Sequence, residues 1–430
     1  MTESVPMNLS LSLCFRRFNY LLLCMVIIGC PGEGPAFRQH WNQDELTILQ
    51  SLHLSNLPPV TDPGNAYIGN DAAAELGRKL FFSPQLSQKG DTSCAHCHQP
   101  KHYFTSGKPL DGKRNTPTVV GSAAFSWQFW DGRADSLWSQ ALFPLEDPTE
   151  HALSRLEVVH IVLDNFKDDY QEAFGVTEQL THFLNEKASL PRQASPVNSA
   201  ENWQLLTDRQ RNQINQIYAS IGKALAAYQA RLMPAESRFD KYVEAVVKKD
   251  YESAHKLLSP AEEAGLSLFI SDRGRCIRCH SGPLFSNGGF TATAAPGSLN
   301  DEGRLAIIEQ LPNNEFNCLS QYADEGEGSC DELVYLKTEG EELRHAFKVP
   351  TLRNISLTAP YMHNGSFDEL GEVMDYYNRS PRNSLNHTEL EPLYLFPFQL
   401  KQLEKFLLSL ESGIAPSSVW ELAHNKEKVE

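Results

Sequence analysis

Basic residues are scarce in this chain. Lysine and arginine together number 38, against 54 aspartates and glutamates, so the formal net charge at pH 7 is −16. An acidic surface argues against a nucleic-acid partner and for a basic or neutral one. Long apolar runs are also missing, because outside one N-terminal segment no stretch is long enough to cross a bilayer.

Strand signals are sparse, so we expect a mainly α fold. Cysteine pairs at zinc-ligand spacing are absent outside two short runs, each followed by its own histidine, which makes a zinc site a poor interpretation. The 430 residues, 41% of them apolar and 21% charged, are enough for the cores of two or three domains.

Two Cys-x-x-Cys-His runs are the most specific feature that is present. Two thiols on one turn can add to the two vinyl groups of one porphyrin, and the adjacent histidine then supplies the proximal nitrogen to the iron. The sequence therefore predicts two covalently bound c-type haems. The residues are Cys94, Cys97 and His98 in the first run, and Cys276, Cys279 and His280 in the second.

A helical pattern precedes each of these runs. A helix predicted over residues 71–82 carries Gly-x-x-Leu-Phe from Gly77, and the same pattern recurs from Gly265 before the second run. This internal repeat predicts two cytochrome-c-like domains, each enclosing one haem.

A long amphipathic helix separates the two halves. Thr207 and Gln210 form a predicted capping box at its start, and six apolar residues share one face: Ile214, Ile217, Ile221, Leu225, Tyr228 and Leu232. We expect an N-terminal haem domain over 30–228, a C-terminal haem domain over 229–415 and a tail over 416–430. Residues 31–70, rich in proline and glycine, are expected to wrap the surface.

Residues 1–29 have the pattern of a signal peptide. Arg16 and Arg17 precede an apolar run that is too short to span a membrane. The run ends in Gly29-Cys30, which resembles a lipobox, so Cys30 is predicted to be lipidated and to anchor the protein at the outer membrane. The alternative is ordinary cleavage and a free periplasmic protein.

Cys318 and Cys330 remain after the other cysteines are assigned. Maturation of c-type cytochromes implies export, and an oxidising compartment favours a disulfide between these two residues over a pair of free thiols.

Several ordered motifs resemble the bacterial dihaem cytochrome c peroxidase family, which includes the tryptophan-modifying relative MauG. The resemblance covers residues 57–412. It rests on Leu76-Gly-Arg-Lys-Leu-Phe-Phe, Arg114-Asn-Thr-Pro-Thr, Phe129-Trp-Asp-Gly-Arg-Ala, Pro350-Thr-Leu-Arg-Asn and Ala359-Pro-Tyr-Met-His-Asn-Gly.

For the N-terminal haem, the resemblance implies a pocket that reduces hydrogen peroxide. The family spacing falls on Glu150 as general acid–base and on Gln140 as a hydrogen-bonding group. Composition alone would favour a solvated loop carboxylate at Glu150, and His151 stands where the family commonly has Met. Trp130 is expected to pass electrons between the haems.

Classical members of the family close the N-terminal haem with a loop histidine, but residues 103–114 contain none, and His102 follows His98 too closely to reach the opposite face of the haem. We therefore expect a five-coordinate or water-bound iron, as in MauG-like members.

The resemblance also implies a calcium ion between the domains. Asn115 would offer its side chain, while Thr358 and Pro360 would offer carbonyls, and oxygen ligands suit calcium.

The C-terminal haem needs a ligand opposite His280. A capping box at Ser366-x-x-Glu369 is predicted to start a helix with Leu370, Val373, Met374 and Tyr377 on one face and Tyr376 off it. The family position falls on Tyr377, with Met374 as the runner-up and simple core packing as the alternative. His363 is expected to form hydrogen bonds near the haem without ligating it.

Three functions follow from these expectations. The first is a peroxidase that takes electrons from a small redox protein, and the second is a MauG-like oxidase that modifies a residue of a partner protein. The third is a plain dihaem electron carrier, against which Gln140, Glu150 and an open iron position argue. By analogy with the family, a homodimer is possible.

Overall fold

The protein is described from a computed structural model covering residues 36–38, 40–108, 114–297, 300–325, 330–380 and 388–416. The predicted signal peptide, the lipidation site Cys30 and the tail beyond residue 416 lie outside these ranges. Helices predominate, as predicted, and two cytochrome-c-like domains carry them.

Fifteen α-helices and two short strands are found in the described part of the chain. The helices are α1 (Gln43–Ser51), α2 (Asp71–Phe81), α3 (Cys94–Cys97), α4 (Leu137–Glu146), α5 (Arg155–Asn165), α6 (Lys167–Phe174), α7 (Glu178–Glu186), α8 (Ala200–Leu205), α9 (Asp208–Gln229), α10 (Arg238–Val247), α11 (Tyr251–Leu257), α12 (Pro260–Ile270), α13 (Asp331–Val334), α14 (Leu370–Arg379) and α15 (Pro397–Leu408). The strands are β1 (Phe290–Thr291) and β2 (Phe347–Lys348), which pair antiparallel.

The repeated glycine marks the same kind of helix crossing in both halves. A Cβ at Gly77 of α2 would overlap the Ala224 carbonyl of α9, and a Cβ at Gly265 of α12 would overlap the Gln402 carbonyl of α15. Only a residue without a side chain permits this approach of two backbones. The Gly-x-x-Leu-Phe repeat therefore encodes one helix pair beside each haem-attachment run.

Each of these helix pairs is part of a large hydrophobic cluster. The first contains the buried face of α9 with α2, α4 and α5, and the second is built from α10, α12, α14 and α15. Trp41 and Leu49, at the N-terminal end of the described chain, pack in the second cluster, whereas Phe316 and Tyr322 pack in the first. Each half thus contributes residues to the core of the other, and the boundary at residue 228 stays a prediction.

The long helix begins as predicted, but two other expectations need correction. Thr207 and Gln210 form the capping box of α9. Residues 31–70 do more than wrap the surface, because α1 lies within them with its own capping box of Asn42 and Glu45. The predicted box at Ser366 is wrong, since α14 starts after Glu369, which caps it with Glu372.

A disulfide joins Cys318 and Cys330. It lies beside a third, small cluster in which Trp127 packs against Ile308, Leu311 and Leu333. The Cys318 amide donates to an Asp135 carboxylate oxygen at 2.8 Å, so this segment of the C-terminal half is tied to the N-terminal half.

Candidate functional site

Each haem-attachment run presents its histidine in the same way. The Nδ1–H of His98 donates to the Phe104 carbonyl at 3.1 Å, and that of His280 donates to the Phe285 carbonyl at 2.9 Å. Such a bond fixes the tautomer and leaves Nε2 with its lone pair for a metal. Both imidazoles are therefore oriented as proximal ligands.

The loop behind each histidine is held by a matching threonine. The Thr118 hydroxyl donates to the Tyr103 carbonyl at 2.5 Å, and the Thr351 hydroxyl donates to the Leu284 carbonyl at 2.8 Å. Both threonines follow a proline in the motifs quoted above. The Pro-Thr pairs are thus part of the scaffold that positions the two histidines.

Burial keeps the site groups uncharged. It raises the pKa of the Cys94 and Cys276 thiols to about 12, with the charge of Glu150 adding to the effect at Cys94. It lowers the pKa of His280 to about 4 and also lowers that of His98. Neutral imidazoles can ligate iron, and the four thiols are not paired in disulfides. Both runs therefore fit a covalently bound haem.

A cavity of about 310 Å³ surrounds the second run. One face of α14 lines it, as predicted, and Met374 and Tyr377 both reach it. Tyr376 points elsewhere and donates to the carbonyls of Thr293 and Ala294. The cavity thus admits either of the two predicted axial ligands. Its lining includes Trp130, Cys276, Cys279, His280, His363, Leu370, Val373, Met374 and Tyr377.

His363 lies in the wall of the same cavity. Its ring stacks on Phe347 with 3.5 Å between centroids, and burial lowers its pKa to about 4. Its Nε2 is buried and has no hydrogen-bond partner among the described residues. A buried nitrogen without a partner, on a residue of the cavity wall, leaves a hydrogen-bonding position for a polar group of a bound haem.

On the N-terminal side, Glu150 lies near the first run. It sits in the turn after α4, where its amide donates to the Asp147 carbonyl at 3.1 Å, and its side chain is exposed. Its charge adds to the larger effect of burial in raising the pKa of the Cys94 thiol. Gln140 is half-buried on α4.

Sequence reasoning treated His151 only as a departure from the family. The structure buries it, with Nδ1 donating to the Leu86 carbonyl and Nε2 at 3.9 Å from Cys94 Sγ. The sequence did offer one signal for His151, which is its position directly after Glu150. A buried residue that holds this turn in place also positions the neighbouring Glu150.

Trp130 and Asn115 are in direct contact. The Trp130 indole donates to the Asn115 carbonyl at 2.8 Å, and the Asn115 side chain lies 2.6 Å from the Pro360 carbonyl. The predicted electron-transfer residue and two of the three predicted calcium ligands therefore form one group, with Thr358 two residues before Pro360.

The loop that lacks histidine is described as far as residue 108 and again from residue 114. His102 is exposed, and its ring lies so close to Gly107 that a Cβ there would collide with it. Residues 109–113 lie outside the described chain.

Comparisons with known proteins agree with this geometry. A family model described as di-haem cytochrome c peroxidase matches residues 71–248. Cytochrome-c peroxidase IdrP2 of Denitromonas iodatirespirans is 28% identical over 359 residues, which cover 80% of this chain and 83% of that protein. Methylamine utilization protein MauG of Methylophilus methylotrophus is 26% identical over 388 residues, 86% of this chain and 93% of that protein.

Two solved structures share the fold. A MauG-like protein associated with microbial copper homeostasis gives a TM-score of 0.56 at 22% identity, covering 83% of this chain and 95% of that one. The diheme peroxidase BthA from Burkholderia thailandensis gives a TM-score of 0.54 at 21% identity, covering 81% of this chain and 89% of that one. With two haem-binding runs in place, these similarities support the dihaem cytochrome c peroxidase and MauG family for this chain, and with it an oxidoreductase of the peroxidase type.

Proposed function

We propose that the protein reduces hydrogen peroxide at the haem attached to Cys94 and Cys97, with electrons relayed through the haem attached to Cys276 and Cys279. When bound, the haems supply the iron redox chemistry that breaks the oxygen–oxygen bond. The observation that carries the proposal is the place of Glu150 in the turn after α4, directly before the buried His151, whose Nε2 lies 3.9 Å from Cys94 Sγ.

Each residue of the chain has a limited task in this proposal. Glu150 accepts a proton from one peroxide oxygen and returns it to the other, while Gln140 orients the peroxide by a hydrogen bond. Trp130 lines the cavity around the second haem-attachment run. In this proposal it passes electrons between the two haems. We also propose that no side chain closes the first iron, because His102 is turned toward Gly107.

The experiment mixes the haem-loaded protein with peroxide and a reduced small c-type redox protein. A peroxidase is expected to oxidise two molecules of this donor for each peroxide consumed. A plain electron carrier would leave the peroxide unconsumed. A MauG-like oxidase would consume peroxide without oxidising the donor and would change the mass of a partner protein. Relatives named MauG favour this second candidate.

We propose that Tyr377 would bind the iron of the C-terminal haem together with His280, with Met374 as the runner-up. A phenolate stabilises ferric iron and lowers the potential, whereas a thioether raises it. Tyr377→Phe is expected to raise the potential of the C-terminal haem on the order of 100 mV, within the roughly 0.8 V that axial ligands span. A spectroscopic redox titration measures this, with Met374→Leu as the matched control. The choice is wrong if a Met-to-iron charge-transfer band persists in Tyr377→Phe and is lost in Met374→Leu.

We propose a calcium ion held by Asn115, Thr358 and Pro360. Asn115 Oδ1 is buried without a hydrogen-bond partner in the described chain, next to the Pro360 carbonyl. Calcium accepts amide and carbonyl oxygens, so turning this amide would face two oxygens toward one ion. Metal analysis of the haem-loaded protein is expected to find one calcium per chain, and none in Asn115→Ala. Equal calcium in both proteins would contradict the site.

For location, we propose the periplasm with a lipid anchor at Cys30. The disulfide between Cys318 and Cys330 supports an oxidising compartment. In the residues that the structure describes, no helix has the length and apolarity needed to cross a membrane. A homodimer stays a prediction.

A further inference from the structure

We propose that Trp127 is a second redox-active tryptophan, which loses an electron to the C-terminal haem and its N–H proton to Glu332. It then accepts an electron and a proton from a small aromatic donor in the adjoining groove. The inference rests on the proposed function, because peroxide supplies the oxidant.

The groove has a volume of about 520 Å³ and lies between the two halves of the chain. Trp127 is in its wall together with two phenylalanines, Phe125 and Phe290. Tyr335, whose exposed fraction is 81%, stands at the same groove. A site of this size with aromatic walls suits a phenol.

The strand β1 contributes residues both to the groove and to the cavity around the C-terminal haem-attachment run. Successive side chains of a strand point to opposite faces. In β1, Phe290 lines the groove and Thr291 lines the haem cavity. The paired strand carries Lys348, which lines the haem cavity and donates through Nζ to the Trp127 carbonyl at 2.9 Å. Trp127 is therefore bonded to a residue that lines the cavity of the C-terminal haem.

The surroundings of the Trp127 indole favour loss of a proton with the electron. Its Nε1–H donates to a Glu332 carboxylate oxygen at 3.3 Å. The Arg304 guanidinium lies 4.2 Å from the ring centroid, and this positive charge disfavours an indole cation radical. An oxidised Trp127 is stabilised only after the proton has left, and the carboxylate is placed to receive it.

Trp130 has the opposite surroundings. Its Nε1–H donates to the Asn115 carbonyl, and a peptide oxygen does not take up a proton near neutral pH. Trp130 is thus suited to pass an electron on, whereas Trp127 is suited to hold a neutral radical at a surface groove.

The electrons and protons of the step balance. One electron leaves the Trp127 indole for the haem that peroxide has oxidised, and the N–H bond breaks as the proton moves to Glu332. A phenol in the groove then gives up one electron and one proton, which restores the indole N–H, while Glu332 releases the proton that it received to the solvent and is ready for the next event. Two such events supply the two electrons that convert one peroxide, with two protons, into two water molecules.

The disulfide holds the proton acceptor in place. Glu332 lies on the short helix α13, which starts directly after Cys330. Because Cys330 is bonded to Cys318, and the Cys318 amide is bound by Asp135, the carboxylate is held against Trp127 from the other half of the chain.

The test uses the full haem-loaded protein grown with ring-deuterated tryptophan. Peroxide is added, the sample is frozen, and the tryptophan radical is measured by electron paramagnetic resonance in wild type, Trp127→Phe and Glu332→Gln. The matched control is Trp203→Phe, because Trp203 is partly buried on α8, away from the groove. The same samples are followed by haem absorbance and by turnover of 4-methylphenol.

Trp127→Phe is expected to lose the deuterium-sensitive radical and about nine-tenths or more of the phenol turnover, while the haem absorbance still responds to peroxide. Removing the proton acceptor in Glu332→Gln is expected to lower the radical yield about tenfold or more, and Trp203→Phe should stay within about twofold of wild type. An undiminished radical and turnover in Trp127→Phe would overturn the inference. A wild-type protein whose haem absorbance does not respond to peroxide would instead overturn the proposed function, and this inference with it.

Discussion

Glu150→Gln is expected to slow peroxide reduction by about 10²–10⁴-fold, the usual contribution of a positioned acid–base group. The change keeps the size of the side chain and removes its ability to take up and return a proton. Because Glu150 directly precedes His151, whose Nε2 lies 3.9 Å from Cys94 Sγ, the effect should appear at the N-terminal haem. Stopped-flow measurement of the second-order reaction with peroxide checks it.

The matched control is Glu201→Gln, which removes an exposed carboxylate on α8. Both variants should carry two haems per chain and show unchanged absorbance spectra before peroxide is added. A peroxide reaction in Glu150→Gln within about threefold of wild type would remove Glu150 from the mechanism, since such a loss is far below that of a general acid–base residue.

Asp240→Ala is expected to lower the free energy of unfolding by about 3–5 kcal/mol, the usual cost of removing one partner from a buried ion pair. Asp240 receives two hydrogen bonds of 2.8 Å from the Arg353 guanidinium, and neither side chain is more than 1% exposed. The same guanidinium donates to the carbonyls of Leu52 and Pro283, so the pair ties α1 to the loop beside His280. Urea unfolding of the haem-loaded protein measures the change.

Glu252→Ala is the control for this prediction. Glu252 is also paired with a basic residue, Lys256, but both side chains are largely exposed, so the expected loss is much smaller than for Asp240→Ala. A loss below about 1 kcal/mol in Asp240→Ala would show that the buried pair contributes no more than a surface pair.

The contribution of the Asp240–Arg353 pair to stability should also depend on pH. Burial tends to raise the pKa of Asp240, but the hydrogen bonds and charge of Arg353 outweigh it and bring the pKa from the ordinary 3.8 to about 2. A depressed carboxyl pKa means that its stabilising contribution is complete above 3.8 and is lost as the pH falls toward 2. Between these values the wild type should lose stability with falling pH more steeply than Asp240→Ala.

The parts of the fold that could be predicted are those with a local cause. The repeated Gly-x-x-Leu-Phe pattern located two helices because only glycine permits the backbone contacts at Gly77 and Gly265. The short α1 was missed because it lies in a proline-rich segment, and because its buried Leu49, like Trp41 just before the helix, packs against residues far along the chain. The box at Ser366 was wrong because Glu369 offers a competing cap one turn later.

Some features of the candidate site could likewise be predicted from the sequence, and others could not. The Cys-x-x-Cys-His runs and the cavity face of α14 could be read from spacing. The carbonyls that accept hydrogen bonds from the two histidines could not be predicted. They belong to Phe104 and Phe285, whose φ angles are 58° and 53°, and a positive φ is not expected for phenylalanine from sequence. The choice between Met374 and Tyr377 also depends on packing, because both line the cavity.

The most direct test of the account is low-temperature electron paramagnetic resonance of the oxidised, haem-loaded protein before and after peroxide. A vacant or water-bound position at the haem of Cys94 and Cys97 predicts one high-spin ferric signal beside one low-spin signal, with the high-spin signal lost on mixing with peroxide. Two low-spin signals that peroxide leaves unchanged would contradict the proposed peroxide site.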